Sequence, residues 1–439
     1  MRRLRSARAQ VWTAVFFAGS LFVSISPLVA VDTRTARLID EAIERHKPEI
    51  IKIRRFIHMN PELSNREFET ARLIASKLSA LGLDTRTGVA KTGVVGLLRG
   101  GQSGPTVALR ADMDALPIQE TANVPFQSLN PGVMHACGHD IHMAVVLGTA
   151  MVLKDLKDRV KGGVKFIFQP AEEGPPAGEE GGAALMIREG VLENPRVSAI
   201  FGLHVWNENV GQILFSAGNI MAASDGFQIV VKGRSAHGAR PQEGVDAIVV
   251  ASHIVAALQS VVGRSIDPTD PAVVTVGRIE GGTRANIIAD KVTLEGTIRT
   301  LSDTNRKRIP ALIDTLVKGI VQSFGASHVF DYRPNLPPVH NHPELAKTML
   351  PSLIQAMGKD KVRDLAPQMV SEDFAFFAQK IPGLFFFLGV KNPSQASPAA
   401  LHTSQFNPDE RAIAVGIRAM CHLILDALEI QSTIGNHHP

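Results

Sequence analysis

The sequence predicts an α/β protein in which a small domain interrupts a larger one. Helices and buried strands alternate up to about residue 218, and the same rhythm resumes after residue 334. Between these stretches the elements run strand, helix, strand, strand, helix, strand, which is the order of a ferredoxin-like sandwich. The predicted divisions are an export signal (1–30), the larger domain in two parts (31–218 and 334–439) and the insert (219–333).

In the first part of the larger domain, apolar residues either recur with helical spacing or form short β-rich runs. Helices are predicted over residues 37–56, 65–81 and 142–156, and strands over 94–98, 106–109 and 164–168. Gly82 follows the second helix as a stop signal. Such alternation is typical of a sheet covered by helices.

The insert and the second part of the larger domain are predicted in the same way. The insert has strands over residues 227–232, 272–279, 287–299 and 329–333 and helices over 245–262 and 303–324. Prolines at positions 334, 337 and 338 mark its end. Beyond them we predict a helix over 344–357, a strand over 384–390 and a last helix over 413–428. The three phenylalanines at 385–387 are interpreted as part of that buried strand rather than as an aromatic pocket.

The composition is that of an ordinary globular protein. Of 439 residues, 45% are apolar and 20% are charged, which excludes a disordered chain and a multi-span membrane protein. The formal net charge of +4 is carried by four arginines among residues 1–30, a stretch without acidic residues. The rest of the chain is neutral and has no basic run, so no nucleic-acid partner is expected.

Residues 1–30 have the pattern of an export signal. A positive segment precedes the apolar stretch 11–30, and the small residue Ala30 closes it. Leu28, at position −3, is larger than signal peptidase prefers, so the residues leave the cut site open. The alternative is an uncleaved anchor, for which this interrupted stretch is mediocre. We predict a periplasmic or secreted protein with no membrane contact after cleavage. No second segment is expected to be long and apolar enough to span a bilayer.

Residues with metal-binding and acid–base chemistry concentrate in four segments outside the insert. The first is Met-His-Ala-Cys-Gly-His-Asp-Ile-His, residues 134–142, where Cys137 and His139 are close enough to serve one metal cluster. The second contains adjacent glutamates, 172 and 173, directly after a predicted strand. The third and fourth carry His204 and His402.

Each segment alone has a structural interpretation. These are a packing or redox cysteine, a solvated acidic turn, and histidines whose hydrogen bonds are satisfied in the fold. Three of the four segments follow predicted strands, however, and ligands of open α/β sheets bind at the carboxyl ends of strands. Together they supply thiolate, carboxylate and imidazole, which suits a two-metal hydrolytic site.

These segments resemble the M20 metallopeptidase family. HACGHDIH, QPAEEG, GLHVW and LHT occur in that order around an inserted β-α-β-β-α-β domain. ALRADMDALP (108–117), GGTRANII (281–288) and SEDF (371–374) also match. The closest likeness is to the amidohydrolase branch, which includes hydrolases of N-acyl, hippuryl and indole-acetyl amino acids and some carboxypeptidases. The resemblance implies a zinc-exopeptidase-like catalytic domain with a ferredoxin-like lid or dimerisation domain.

Carried over residue by residue, the resemblance implies five metal ligands, namely Cys137, His139, Glu173, His204 and His402. Two divalent ions per subunit are expected, with zinc first and manganese or cobalt as alternatives. Cys137 would lie between the metals, with Glu173 and His402 on one ion and His139 and His204 on the other. Glu172 would be the general base, which takes a proton from the attacking water and delivers it to the leaving nitrogen.

Three further residues have roles that the resemblance alone implies. Asp114 would orient a metal ligand, and the alternative is an aspartate that caps backbone N–H groups at a strand end. In the insert, His237 and Asn286 match lid residues that reach the substrate, often from a partner subunit. Their alternatives are a turn histidine and a strand-start asparagine. The lid therefore predicts a homodimer or a higher homo-oligomer.

The resemblance implies metal-dependent hydrolysis of the amide bond of an N-acyl amino acid, with an aromatic acyl group as one option. Alternatives on the same scaffold are a metallo-carboxypeptidase or dipeptidase and a hydrolase of larger aromatic amides. From other classes, a non-catalytic binding module stays open. A secreted domain stapled by a disulfide between Cys137 and Cys421 also stays open.

Overall fold

The computed structural model of the chain describes residues 31–394 and 399–435. The predicted export signal, residues 1–30, lies outside the described residues. In chain order the described helices are α1 (Thr33–Met59), α2 (Phe68–Ala80), α3 (His139–Asp155), α4 (Gly182–Arg188), α5 (Ala247–Ser265), α6 (Asp303–Ser323), α7 (Pro343–Met357), α8 (Ala375–Ala378) and α9 (Arg411–Gly435).

The described strands follow the same numbering. They are β1 (Asp84–Val89), β2 (Gly93–Arg99), β3 (Gln102–Asp112), β4 (Lys161–Gln169), β5 (Val197–Asn209), β6 (Ile213–Phe215), β7 (Gly218–Met221), β8 (Ala223–Lys232), β9 (Ala272–Gly281), β10 (Lys291–Thr300), β11 (Ser327–Leu336), β12 (Val339–Asn341), β13 (Val362–Asp364) and β14 (Gly383–Lys391).

The larger domain is built on one mixed eight-stranded sheet. Its strand order is β1-β2-β4-β3-β5-β14-β6-β13, and the four central strands β4, β3, β5 and β14 run parallel. α1, α3 and α9 pack together, and α3 and α9 lie against β3. Because the central strands are covered on both faces, they contain runs of consecutive buried residues rather than alternating buried and exposed ones. The predicted α/β class is therefore confirmed.

Strand β14 contributes side chains to the hydrophobic clusters on both faces of the sheet. Phe386 belongs to the hydrophobic cluster that contains α1, α3 and α9. Phe385 and Phe387 point to the opposite face and join the cluster around α4 and α8. All three rings are fully buried, so their interpretation as a buried strand is confirmed.

The second sheet has four antiparallel strands in the order β11-β8-β10-β9. α5 and α6 pack on it, and the aliphatic residues between the layers form a hydrophobic cluster of their own. These six elements have the order predicted for a ferredoxin-like sandwich. Its limits at residues 219 and 333 and its role as a lid stay predictions.

Helix α5 corrects one expectation. By length and composition alone, residues 247–265 could cross a membrane, so the expectation that no second segment qualifies was wrong. Its apolar character has a source within the fold, because Val250, Ile254 and Leu258 are buried in the core of the four-stranded sheet. The core helix of a globular domain can therefore pass the same compositional test as a membrane span.

Two predicted boundaries were wrong for local reasons. The helix predicted from residue 65 begins at Phe68, because Asn65 has a left-handed φ of 61° that an α-helix cannot contain. The strand predicted from residue 287 begins at Lys291, because residues 287–290 hydrogen bond to the loop after β8 instead. β1 was not predicted, since its exposed polar sequence resembles a loop.

The two cysteines are free in the structure, so the disulfide alternative was wrong. Cys421 lies fully buried in α9 among the aliphatic residues of the main core. Cys137 lies outside that helix, in the loop that leads into α3. The two thiols therefore lie in different environments, one in the apolar core and the other beside the candidate site.

Candidate metal centre

The predicted site segments meet at one edge of the large sheet. β3 and β4 end side by side, with Asp112 in register with Gln169. From these ends the chain continues into Asp114 and into the two adjacent glutamates. His204 lies within the next strand, β5, rather than after a strand as predicted. This edge is where open α/β sheets bind ligands.

The turn before α3 directs two side chains into the site. Gly138, between Cys137 and His139, has a left-handed φ of 86°. A Cβ on Gly138 would lie 2.5 Å from the Cγ2 atom of Val205, so any larger residue would clash there. The glycine therefore lets the thiol and the imidazole on either side of it approach β5.

The thiol of Cys137 is the centre of the arrangement. Its Sγ atom lies 3.2 Å from Nε2 of His204 and 3.1 Å from Nε2 of His402. The same Nε2 atom of His402 lies 3.4 Å from Oε1 of Glu173. Two groups of three candidate ligands thus share the sulfur, one completed by His139 and His204 and the other by Glu173 and His402. We call these five residues the sulfur-centred cluster.

Backbone carbonyls set the orientation of two imidazoles. Nδ1 of His139 lies 2.8 Å from the carbonyl oxygen of Asp114, and Nδ1 of His204 lies 2.7 Å from that of Val205. A carbonyl can only accept, so each Nδ1 carries a proton, and in the neutral form of each ring Nε2 offers a lone pair to the centre. This is the arrangement found around metal-ligating histidines.

Two atoms that face the centre are buried and lack a hydrogen-bond partner. They are Nε2 of His139 and Oε1 of Glu173. A buried acceptor left without a partner costs about 1–3 kcal/mol. A cation would satisfy both atoms, and thiolate, imidazole and carboxylate are a suitable donor set for divalent metals. The residues therefore fit the two divalent ions that the sequence resemblance implies.

The protonation of the cluster without a cation follows from its charges. Burial, with the nearby Glu173 and Glu172, raises the pKa of the Cys137 thiol well above its usual range. Burial also lowers the pKa of His204, to about 4. For His139 the lowering by burial is outweighed by Asp112 and its acidic neighbours, which raise the pKa to about 10. Without a cation the site therefore holds protons on sulfur and on His139, and metal binding would displace them.

Asp114 connects the two halves of the site. Its carboxylate accepts hydrogen bonds from the backbone N–H groups of Glu172 at 3.1 Å and Glu173 at 3.0 Å. Ser64 donates a further hydrogen bond to it at 2.7 Å. Its carbonyl oxygen holds His139, as described above. The residue thus has both contacts that the sequence suggested as alternatives, to a candidate ligand and to strand-end N–H groups.

The backbone is strained at two points in the site. Ala171, directly before the glutamate pair, has a φ of 53°, and His402 has a φ of 62°. Residues with a side chain rarely adopt this left-handed region, and such strain clusters at functional sites. The backbone N–H of His402 donates to the carbonyl of Ala136 at 2.9 Å, which ties this loop to the cysteine segment.

Glu172 lies beside a group of charges that sequence reasoning left without a role. Its carboxylate and those of Glu372 and Asp373 have oxygens within 4.8 Å of one another. The fully buried Arg110 approaches Glu372 at 2.9 Å and Asp373 at 2.8 Å. Burial, followed by the charges of Glu372 and Glu173, raises the pKa of Glu172 above its usual range.

Two residues near the site, Arg110 and His142, were given no role by sequence reasoning although the sequence contained a signal for each. Arg110 interrupts an apolar strand, and a buried arginine requires acidic partners. His142 follows His139 by three residues and so lies on the same side of α3. It accepts a hydrogen bond from the N–H of Val205 at 2.9 Å and lies 2.6 Å from Oδ1 of Asp112. His142 therefore supports the strand that carries His204.

A cavity of about 540 Å³ opens onto the sulfur-centred cluster and Glu172. Its apolar lining consists of Trp206, Met221, Leu336, Val370, Ala400 and Leu401. Ser371 and Asn207 add polar groups. The cavity thus combines a mostly apolar lining with the candidate ligands and Glu172.

Within one chain, the two predicted lid residues do not line this cavity. His237 and Asn286 are exposed on the insert. They lie near each other, because the N–H of Gly238 donates to the carbonyl of Asn286 at 2.8 Å. Nδ1 of His237 accepts a hydrogen bond from the N–H of Ala239 at 3.0 Å. Their contribution to a site stays a prediction.

Comparison with known proteins agrees with this geometry. The model of peptidase family M20/M25/M40 matches residues 108–426. The chain is 40% identical over 379 residues to thermostable carboxypeptidase 2 of Saccharolobus solfataricus, covering 86% of this chain and 94% of that protein. It is also 40% identical over 379 residues to IAA-amino acid hydrolase ILR1-like 5 of Arabidopsis thaliana, covering 85% of each.

A solved structure of an M20 family protein has a fold similar to that of this chain. The Bacillus subtilis YXEP protein, described as a dinuclear metal binding peptidase from the M20 family, aligns with a TM-score of 0.76 and 36% identity. The alignment covers 88% of this chain and 99% of that one. The chain therefore belongs to the M20 family, as its motifs predicted, and is a metal-dependent hydrolase of the amidohydrolase type.

Proposed function

We propose that this protein is an exported amidohydrolase that cleaves the bond between an acyl group and the nitrogen of an amino acid with a free carboxylate. The observation that carries the proposal is the sulfur-centred cluster, which lies beside Glu172 and lines a mostly apolar cavity. Export rests on the signal pattern of residues 1–30.

The cluster would hold two divalent ions, with zinc proposed first and manganese or cobalt as alternatives. Cys137, His139 and His204 would hold one ion, and Cys137, Glu173 and His402 the other. Bound there, the ions would polarise the amide carbonyl and supply an activated water.

Glu172 would act as the proton carrier. It would take a proton from the attacking water and pass it to the leaving nitrogen. Burial beside the charges of Glu372 and Glu173 raises the pKa of Glu172, which makes its carboxylate a stronger proton acceptor. The loop that carries it is held by Asp114, so its carboxylate has a defined position.

The cavity lining supports an apolar acyl group. Trp206 lies half-buried with its ring centroid 4.5 Å from that of Phe387, so a fixed aromatic surface lies near the reactive end. Met221, Leu336 and Val370 continue the apolar surface. A small acetyl group would leave much of this cavity empty, which favours larger aliphatic or aromatic acyl groups.

Arg299 is the group that we propose for the substrate carboxylate. It is half-buried and forms no salt bridge with a described carboxylate, and the charge of Asp225 does not offset the burial that lowers its pKa. Its Nη1 atom donates to Oγ of Ser371 at 2.9 Å, and Ser371 lines the cavity. A guanidinium without an acidic partner beside a substrate cavity suits bidentate binding of a carboxylate.

The lid residues would complete the site across a homodimer. His237 and Asn286 are exposed and lie away from the cavity of their own chain, so a partner chain could present them to it. A mixture of His237→Ala and Glu172→Ala chains tests this, because each hybrid dimer contains one complete site. Recovered activity is expected, and a strictly monomeric active enzyme would contradict the cross-subunit arrangement.

A substrate panel tests the reaction. The metal-loaded protein is assayed against N-acetyl, N-octanoyl, N-benzoyl and N-indolylacetyl amino acids, their amides that lack the free carboxylate, and dipeptides. We expect larger apolar acyl groups to be preferred and the carboxylate-free amides to be poor substrates. Arg299→Lys should raise KM for acids and leave the amides little changed. Preference for dipeptides would favour the carboxypeptidase or dipeptidase alternative, which the Saccharolobus relative suggests.

A further inference from the structure

The loop that carries the two adjacent glutamates is held through its backbone. Three successive N–H groups, those of residues 171, 172 and 173, each donate to a carboxylate. Asp114 accepts the second and the third, as described above. The first, from Ala171, is accepted by Oε1 of Glu67 at 2.9 Å. Glu67 therefore holds the loop of the candidate site although it is not part of the sulfur-centred cluster.

Glu67 does not use its side chain for the helix that it precedes. It occupies the N-cap position of α2, where a side-chain oxygen often accepts from the first N–H groups of the helix, but it makes no such hydrogen bond. Glu62 binds that end of α2 instead, since its carboxylate accepts from the N–H groups of Glu69 at 3.1 Å and Thr70 at 2.9 Å. The hydrogen bonds of the Glu67 carboxylate thus lie outside its own helix.

These hydrogen bonds connect two turns. Oγ1 of Thr92, in the turn between β1 and β2, donates to Oε2 of Glu67 at 2.6 Å. Oε1 of Glu67 binds the N–H of Ala171, a residue with a left-handed φ of 53°. A residue with a side chain keeps this conformation only where the surrounding structure holds it. Without an acceptor at this place, the loop would lose one of the contacts that fix its path into the glutamate pair.

The Glu67 carboxyl is kept in an unfavourable environment. The residue is fully buried. Burial, followed by the nearby charge of Asp114, raises the pKa of Glu67 to about 7. A buried acid with a strongly shifted pKa beside a candidate site is more often functional than one at a distance from it. The environment of Glu67 thus agrees with what its hydrogen bonds indicate.

We propose that Glu67 is a positioning residue, which acts through the backbone of Ala171 to hold the two adjacent glutamates at the metal centre. This inference rests on the proposed function, which gives those glutamates their roles. Glu67 is not among the described residues that line the cavity or form the groups of candidate ligands. It should therefore affect metal binding and kcat and have little effect on KM.

The first test separates hydrogen bonding from packing. Glutamine keeps the shape of Glu67 and an oxygen that can accept from Ala171, while its amide can donate to Oγ1 of Thr92. Methionine fills the same space without a strong acceptor. Glu67→Met should weaken zinc binding to the metal-free protein about 10–100-fold and lower kcat at saturating zinc to a similar extent. Glu67→Gln should stay close to the wild type in both.

Zinc affinity is measured by competition with a chromogenic chelator, and kcat and KM with the best substrate of the panel above. Equal zinc affinity and kcat in Glu67→Gln and Glu67→Met, whether both are high or both are low, would overturn the proposal. In that case the hydrogen bond to Ala171 would make no difference to the site.

A shortened side chain keeps the proposal testable if Glu67→Met does not fold. Glu67→Asp retains the charge and withdraws the carboxylate from Ala171 by one methylene. We expect a folded variant, as judged by its Tm, with zinc affinity and kcat about tenfold or more below the wild type and with a similar KM. Wild-type zinc affinity and kcat in a folded Glu67→Asp variant would contradict the positioning role.

Two controls define what a failure means. Glu62→Met removes a carboxylate from the same segment whose two hydrogen bonds both go to α2, so it should lower Tm and leave zinc affinity and kcat unchanged. Glu173→Gln tests the proposed ligand directly. If Glu173→Gln loses zinc and Glu67→Asp does not, only the positioning role is wrong. If Glu173→Gln keeps its zinc, the ligand assignment on which this inference rests is wrong.

Discussion

Two buried polar clusters meet at the start of α3. They differ in whether their charged and polar atoms have partners within the protein. His139 and Asp140 are neighbours in sequence, but successive side chains on a helix point in different directions. His139 belongs to the sulfur-centred cluster. Asp140 faces α1, where its Oδ2 atom lies 2.8 Å from Nε of Arg54 and 2.7 Å from Nδ1 of His58.

The second cluster, which we call the paired cluster, consists of Arg54, His58, Glu120 and Asp140. Its acids and bases alternate in space, and Nε2 of His58 continues the chain to Glu120 at 3.2 Å. The two flanking charges lower the pKa of Asp140 against the effect of burial. Every member thus has a partner of opposite charge within the protein.

The sulfur-centred cluster has the reverse character. Its candidate ligand atoms converge on the sulfur of Cys137, and Nε2 of His139 and Oε1 of Glu173 have no hydrogen-bond partner. Nε of Arg54 in the paired cluster also lacks a hydrogen bond, but it lies 2.8 Å from a carboxylate oxygen of Asp140. Protein interiors satisfy most of their polar groups, so unsatisfied acceptors that converge on one point indicate a ligand from outside the chain. The comparison shows that the burial of charged residues does not by itself indicate a functional site. The convergence of several unsatisfied acceptors on one point does indicate a ligand-binding site.

The largest expected effect separates the two adjacent glutamates. Glu172→Gln removes the proposed proton carrier and keeps its shape, so we expect a loss in kcat of at least about 10²–10⁴-fold with both metals retained. Glu173→Gln should instead lose metal, because a neutral amide is a weaker ligand than a carboxylate. Metal analysis alongside kinetics checks this. The reverse pattern of metal content would mean that the two roles are exchanged.

The next effect concerns the two thiols. Cys137→Ser should lose most of the bound metal, because a hydroxyl is a poor replacement for the thiolate that would lie between the proposed ions. Cys421→Ser is the matched control, since it places the same change in the apolar core of α9. It should retain the full metal content. Equal metal retention in both variants would remove Cys137 from the centre of the site.

The paired cluster should respond in stability and not in metal content. Asp140→Asn leaves Arg54 buried with weaker compensation, and breaking such a pair costs about 3–5 kcal/mol of unfolding free energy. Asp155→Asn, at the exposed end of the same helix, should cost at most about 1 kcal/mol. Denaturant unfolding of the metal-free variants measures both. If Asp140→Asn lost metal but kept full stability, the claim that the paired cluster acts on stability and not on metal binding would be wrong.

The pH dependence of that variant has a definite sign. Because the folded pKa of Asp140 lies below its unfolded value, its contribution is present above about pH 4 and is lost as the pH falls. The stability difference between the wild type and Asp140→Asn should therefore shrink below about pH 4. A difference that stays constant down to pH 2 would contradict the ion-pair account.

The smallest expected effect is spectroscopic. Trp12 lies in the predicted signal, so Trp206 is the only tryptophan of the predicted mature chain. It lies two residues from His204 on the same strand and lines the cavity. Removing metal should change its emission spectrum, whereas Asp140→Asn should not. Identical spectra with and without metal, with metal loss confirmed by elemental analysis, would count against His204 as a ligand.

Much of the candidate site could be predicted because its residues lie in short motifs. Cys137 and His139 are two residues apart, and the two glutamates are adjacent, so a local pattern already brings these pairs together. Glu372 and Asp373 were quoted only as part of a motif. Their role depends on the approach to Glu172, about two hundred residues earlier in the chain. No local pattern carries that information.

The sequence by itself determined the α/β class, the interrupted domain order and most helices and strands. These depend on the spacing of apolar residues, which is a property of neighbouring positions. Only the tertiary structure decided which charged residues meet. It directed His139 towards Cys137 and Asp140 towards Arg54, and it brought the N–H of Val31 to Asp426 across 395 positions. Side-chain direction and strand register act over long distances in the chain, so they become visible only when the sheet and its helices are assembled.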